Sequence, residues 1–228
     1  MRAKARTNRS TSLAGLTPHI RWCAVDDIIV VLDISRGEYF ALDSDTSRDW
    51  KLLCEGDRAP SAAFLKAIDA RGWLGAGEAQ PRQPRDAMRM LARGSRHLLA
   101  FACIVLARWR LRRHGFAGAY GWAQAWGAAS GTAGRRVERD LRPFLAAEAL
   151  MPSLLGERDC LPRSLALFVY LRALGHDVRH VIGVARFPFS AHAWVETGQT
   201  TLLERPIEQK LLPGARVPKG RIPIAVIA

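Results

Sequence analysis

Asp159-Cys160-Leu161-Pro162-Arg163-Ser164-Leu165-Ala166-Leu167-Phe168-Val169-Tyr170-Leu171-Arg172 reads as a helix that begins on its cysteine. Pro162 has no N–H and its ring fixes φ, so it is tolerated only in a first helical turn. The helix start is thereby confined to the neighbourhood of Cys160. A thiol so placed meets unpaired backbone N–H groups and the positive end of the helix dipole, and both favour thiolate. Every residue from Leu165 to Leu171 is apolar, the composition of a helix enclosed by protein on most sides. The expectation is a nucleophile at the tip of a buried rod.

Downstream, Gly175 is placed to cap the helix, and the β-branched run Val178 to Val184 reads as a strand. Phe187-Pro188-Phe189-Ser190 turns the chain into Ala191-His192-Ala193-Trp194-Val195-Glu196. In a strand, alternate residues share a face, so His192, Trp194 and Glu196 lie together and Ala193 and Val195 lie opposite. Gly198-Gln199 is a turn signal, and Thr200 to Glu204 reads as the paired strand. A hairpin of this length brings Glu204 towards His192. Thiol, imidazole and carboxylate are the parts of a nucleophile, its base and the group that orients the base. Glu196 is the other candidate orienter, although four strand residues separate two side chains by ~13 Å.

The chain has 228 residues and 49% hydrophobic residues, enough for one large or two small cores. Its net charge of +13 is regional. Thirteen arginines between Arg82 and Arg142 face only Asp86, Glu138 and Asp140. Such a stretch attracts acidic peptide, nucleic acid or an anionic membrane surface, or is simply a solvated helix face. The four cysteines, Cys23, Cys54, Cys103 and Cys160, have no metal-ligand spacing, so no metal site is expected. No signal pattern precedes them, and a reducing cytoplasm is the expected setting. The apolar run Leu98 to Ala107 is too short to span a bilayer, which leaves peripheral contact through flanking arginines as the membrane alternative. No phosphate-cradling loop or dinucleotide fingerprint is present, so no cofactor is evident.

Residues 1–17 read as a disordered basic tail. Ile20 to Ala24, Ile28 to Ile34 and Glu38 to Leu42 form a three-strand meander with turns at Asp26-Asp27 and Ser35-Arg36-Gly37. A helix capped by Asp45 or Thr46, with Asp49 in capping-box position, carries Trp50; a second follows Pro60, carries Phe64 and Ile68, and ends at Arg71-Gly72. Residues 18–76 thus outline a winged-helix-like module. Residues 20–72 hold seven basic and ten acidic side chains, which argues against nucleic acid as its ligand. The edge strand Glu38-Tyr39-Phe40-Ala41-Leu42 beside the helix bearing Phe64 and Ile68 suits the addition of a peptide strand. Residues 77–84 read as a linker. Residues 85–228 form a second domain. It begins with a long helix from Arg85 to Arg113, a packed segment from Phe116 to Ala129 and a helix from Val137 to Leu150. The tail from Pro213 to Ala228 reads only as an extended segment.

Cys160-Leu161-Pro162-Arg163-Ser164-Leu165-Ala166-Leu167, Gly175, Val181-Ile182-Gly183-Val184, Pro188-Phe189 and Ala191-His192-Ala193-Trp194-Val195-Glu196 resemble the lasso-peptide biosynthesis B proteins, transglutaminase-like cysteine peptidases that remove a leader from a ribosomal precursor. Leu32-Asp33, Gly37 to Asp43 and Trp50 are similar to the leader-recognition element of such pathways. Together the two cover about residues 20–208, in the order of the fused form. The resemblance implies an α+β chain: a small winged-helix-like meander and helix module followed by a papain/transglutaminase-like cysteine peptidase domain. It implies Cys160 as nucleophile, His192 as base, Trp194 near them, and Glu204 where the family usually has aspartate. The implied partners are the precursor's leader peptide, bound at Glu38 to Leu42, Phe64 and Ile68, and an asparagine-synthetase-like cyclase. An inert peptide-binding adaptor on the same folds and a basic nucleic-acid-binding regulator are the alternatives.

Overall fold

The computed structural model describes residues 15–56, 59–75, 95–126, 137–151, 160–185, 189–198, 200–203 and 222–227. Spatial proximity divides the chain into two units. One comprises Met1–Gln80, Gly183–Ser190 and Gly220–Ala225; the other comprises Pro81–Ile182, Ala191–Lys219 and Val226–Ala228.

The first unit opens with an antiparallel meander of β1 (Ile20–Val25), β2 (Ile28–Asp33) and β3 (Glu38–Ala41), in that spatial order. Val25 pairs with Ile28, so Asp26-Asp27 is a two-residue turn. Asp26 takes φ 54° there, a value a short polar side chain tolerates and a hairpin turn matched to strand twist requires. β2 lies in the middle, and its residues Ile29 to Leu32 are all buried. β3 lies at the edge of this sheet. The Leu42 N–H donates to the Ile29 carbonyl at 2.9 Å. Antiparallel ladders bond inward at every second residue, so Phe40 also turns its N–H toward β2, whereas the backbone N–H and C=O of Ala41 point away from β2.

The cap expected at Asp45 or Thr46 is Asp43. Its carboxylate accepts the Thr46 N–H at 2.8 Å and the Thr46 hydroxyl at 3.0 Å, starting α1 (Ser44–Glu55) directly from the strand exit. Thr46 is therefore the recipient of the cap. Asp49, expected in the capping box, instead accepts from the hydroxyl and N–H of Ser61, which is itself the N-cap of α2 (Ala62–Ala70). Ile20, Ile29, Val31, Trp50, Phe64, Ile68 and Trp73 form the core. Trp50 meets Phe64 and Trp73 edge-to-face at 6.2 and 5.8 Å, the arrangement that aromatic quadrupoles favour. Residues 1–14 of the expected tail lie outside the described residues. Gly15 to Thr17 belong to the module: Leu16 is buried and bridges Leu74, and Thr17 donates its N–H to the Trp73 carbonyl. The linker at 77–84 is likewise outside the described residues.

The second unit is built on three helices, α3 (Arg96–Gln124), α4 (Val137–Ala149) and α5 (Cys160–Ala173), with α5 packed along α3. The long helix expected from Arg85 is described from its cap, Ser95, onward. It is interrupted at Gly115, where φ is 65°, which accounts for the separate segment read from Phe116. α5 is buried from Ser164 to Arg172 and ends in a Schellman cap: His176 N–H donates to the Leu171 carbonyl and Gly175 N–H to that of Arg172, with Gly175 at φ 86°. A buried network locks the helices together: Asp140 of α4 accepts from Arg96 of α3 and pairs with His176 at 2.8 Å, while Tyr170 of α5 donates to the Asp140 carbonyl at 2.9 Å. β4 (Arg179–Ala185), β5 (Ser190–Thr197), β6 (Thr200–Leu202) and β7 (Ile222–Ile227) form a sheet in the order β6-β5-β4-β7. β7 is the described part of the tail that reads from sequence only as extended; residues 213–221 and 228 lie outside the described residues. Among the described residues, no helix is long and apolar enough to cross a membrane.

Candidate active site

Cys160 is the first residue of α5 and is half-buried, with Pro162 in the first turn as the sequence expects. The other three thiols are held in the unreactive form. Burial pushes Cys23 up to about 12; burial, then the charge of Glu55, pushes Cys54 up to about 11; complete burial pushes Cys103 higher still.

His192 lies on β5 and is 9% exposed. The alternation read from the sequence holds in detail: the Trp194 ring stacks on the imidazole of His192, with centroids 5.8 Å apart and planes 17° apart, and Trp194 Nε1 donates to Glu196 Oε1 at 2.7 Å. Glu196 also accepts from Arg179 at 3.4 Å. Glu196 is thus engaged with Trp194 and Arg179, and steers the ring that lies against His192. The two other histidines near α5 are committed elsewhere. His176 pairs with Asp140, and His180 is fully buried, its Nε2 2.9 Å from the Ser164 hydroxyl. Burial pushes His180 down to about 3, so its imidazole is neutral near neutral pH.

The third expected member, Glu204, lies outside the described residues. The β5–β6 ladder pairs Thr197 with Thr200, Glu196 with Thr201 and Val195 with Leu202. It stops at Leu203, whose φ of 52° is a left-handed value rare for a branched side chain. The Leu203 carbonyl accepts from Arg163 Nη1 at 2.6 Å. Arg163 also holds Glu148 of α4 with two parallel bonds, at 2.5 and 3.1 Å. No spacing rule in the sequence signals these Arg163 bonds, because all partners are remote in the chain.

In the first unit, a cavity of about 450 Å³ is lined by Tyr39, Phe40, Ala41 and Leu42, by Phe64 and Ile68 of α2, and by Trp50 and Trp73 behind them. Glu38 is exposed and does not line it. Arg71 lies over the rings of Phe40 and Trp73, at 4.8 and 5.3 Å. Behind this wall Trp73 Nε1 donates to the buried Asp33 at 3.0 Å. Burial alone would raise the Asp33 carboxyl; the bonds from Ser35 and Trp73 outweigh it and hold the group below the usual carboxylate range.

A model of the transglutaminase-like superfamily matches residues 98–211, half of the chain. The chain belongs to that superfamily. No curated protein and no solved structure matches it. The match begins inside α3 and contains α4, α5 and the strands β4 to β6, and with them Cys160, His192 and Glu204. The transglutaminase-like superfamily includes cysteine peptidases and transglutaminases. A cysteine at the tip of a buried helix and a histidine on a neighbouring sheet are the side chains such a domain has available for thiol chemistry. Among the described residues, no cluster of three or more His, Cys, Asp or Glu is placed to hold a metal ion.

Proposed function

We propose that this protein is a leader peptidase of lasso-peptide maturation, which binds the precursor's leader through its first unit and cleaves it with Cys160. The observation that carries the reading is the pairing of a transglutaminase-like domain, with a half-buried cysteine on the first residue of a buried helix, with a strand-edge groove in a separate unit. The cysteine attacks the scissile carbonyl as thiolate. His192 takes the thiol proton and returns it to the core's amine as the C–N bond breaks, and water then hydrolyses the leader's thioester and frees the thiol. Glu204 orients His192, and Trp194 walls the imidazole on one side. The leader adds as a strand beside β3, with backbone bonds to Ala41 and apolar side chains in the cavity against Phe64 and Ile68. A cavity of about 450 Å³ suits one or two large side chains. The freed core passes to an asparagine-synthetase-like cyclase in the cytoplasm, and no cofactor is assigned to the peptidase itself.

The test begins by searching the neighbouring reading frames for a short precursor with a glycine-starting core and an acidic ring-closing residue, and uses that peptide. Parent protein should release the core. Cys160→Ala should bind the precursor as tightly and release none, and iodoacetamide should label Cys160 ahead of Cys23, Cys54 and Cys103. Full cleavage by Cys160→Ala would end the reading. Intact precursor bound by a parent whose Cys160 has ordinary thiol reactivity would make the protein an adaptor instead.

A further inference from the structure

Two consecutive side chains just past the nucleophile reach strands on either side of the one that carries His192. Arg163 donates to the Leu203 carbonyl, where β6 ends, at 2.6 Å. The Ser164 hydroxyl lies 2.9 Å from His180 Nε2, on β4. In the sheet order β6-β5-β4-β7, β5 lies between these two strands. From the first turn of α5, the chain therefore bolts the nucleophile's helix to both neighbours of the base's strand. We infer that Arg163 and Ser164 are positioning residues, a two-point bracket that sets the placement of His192 relative to Cys160. This inference rests on the proposed roles of that pair.

The geometry of Arg163 argues for placement rather than for charge. Its guanidinium is matched in a fork by the Glu148 carboxylate, with side chains 16% and 12% exposed. Taken together the paired side chains carry no net charge. Glu148 fixes one edge of the planar fork, and the remaining Nη1–H is left aimed at Leu203, whose φ of 52° shows a backbone held by its surroundings. An ammonium group is a point donor and cannot keep the fork on Glu148 and reach Leu203 together. At the other end the Ser164 hydroxyl donates to the Leu161 carbonyl, 3.1 Å away, while its oxygen lies 2.9 Å from His180 Nε2, so the first turn of α5 and β4 share one atom. Misplacement by about an ångström is enough to cost a pre-organised pair a factor on the order of a hundred.

The test reads Cys160 alone and needs no substrate. At pH 6 a thiolate stabilised by imidazolium reacts with iodoacetamide while an ordinary thiol hardly does, so the second-order rate of Cys160 labelling, measured by intact mass, reports the pair. Arg163→Lys and Ser164→Ala should each slow that rate by about tenfold or more, with unchanged circular dichroism. Introduced into a His192→Ala background, neither should slow it further, because the bracket acts only through His192. Glu148→Gln, which keeps one acceptor for Arg163, gives a milder slowing and stands in should Arg163→Lys not fold. Parent-like labelling in folded Arg163→Lys, or a slowing that persists fully without His192, would overturn the inference. A parent Cys160 with ordinary thiol reactivity would instead remove the catalytic reading beneath it.

Discussion

β3 and α5, the elements to which the proposed function gives binding and chemistry, are built in opposite ways. β3 has one neighbouring strand in its sheet, turns the polar backbone of Ala41 away from it, and stands beside a cavity of about 450 Å³. α5 is buried from Ser164 to Arg172 and capped at its far end, and its first residues, Cys160 to Arg163, are only partly covered. An edge strand with a cavity gains affinity from backbone bonds and apolar contacts and tolerates small displacements. A nucleophile requires placement to a fraction of an ångström, and an enclosed helix supplies it. Binding and chemistry should therefore separate cleanly under mutation.

The largest separation is expected at Cys160. Cys160→Ala should cut turnover by a factor on the order of 10⁴ or more while leaving precursor affinity at the parent value. Affinity and turnover falling together would show that the two units do not divide the work. Glu204 gives the next effect. Glu204→Gln should lose about a hundredfold in turnover, because the amide can offer the ring a donor where an acceptor is needed, while Glu204→Asp should keep much of the activity. Turnover of Glu204→Gln within about threefold of the parent, with His192→Ala inactive, would leave a Cys–His dyad as the working set.

On the binding side the wall behind the groove matters more than its rim. Asp33 is buried and takes bonds from Trp73 Nε1 and from Ser35. Asp33→Asn should destabilise the first unit by about 2 kcal/mol, since a charge-assisted acceptor is replaced by an amide that cannot satisfy every donor. Equal denaturation midpoints would show that the Trp73 bond adds nothing. At the rim, Ala41→Pro removes an outward donor without touching the β2 ladder and should weaken leader affinity by about tenfold. Phe40→Pro should instead disturb the fold, because the Phe40 N–H faces β2. Parent-like affinity in folded Ala41→Pro would move the leader elsewhere.

What the sequence discloses follows the range of the forces involved. Pro162 confines a helix start within a turn, Gly175 ends the same helix, and the alternation His192, Trp194, Glu196 places three side chains on one face; each is local, and each is found in the structure. The cap at Asp43 was obscured because Asp43, Asp45 and Thr46 are all capping residue types within four positions, and only the strand exit selects among them. β7 was illegible because its partner, β4, lies some forty residues earlier in the chain. The Arg96–Asp140–His176 network and the Arg163 fork are contacts between distant segments, whose residues look like ordinary surface charges until α3, α4 and β6 are placed.

At neutral pH the smallest effect is expected from His180, since it enters only below pH 6.5, and its sign is set by burial. In the unfolded chain this imidazole takes a proton near its ordinary value of 6.5, whereas in the folded protein burial delays protonation to about 3. Between those values the unfolded state binds more protons, so stability is full above pH 6.5 and is lost as pH falls toward 3, by on the order of 1 kcal/mol per unit. His180→Gln keeps a partner for the Ser164 hydroxyl but cannot take the proton, so its midpoint should fall less than the parent's between pH 6.5 and pH 4.5. Comparing the two proteins cancels the carboxylates they share. Parallel curves would show that His180 opens to water before it titrates, and that the Ser164 bond is a weaker anchor for β4 than its 2.9 Å length implies.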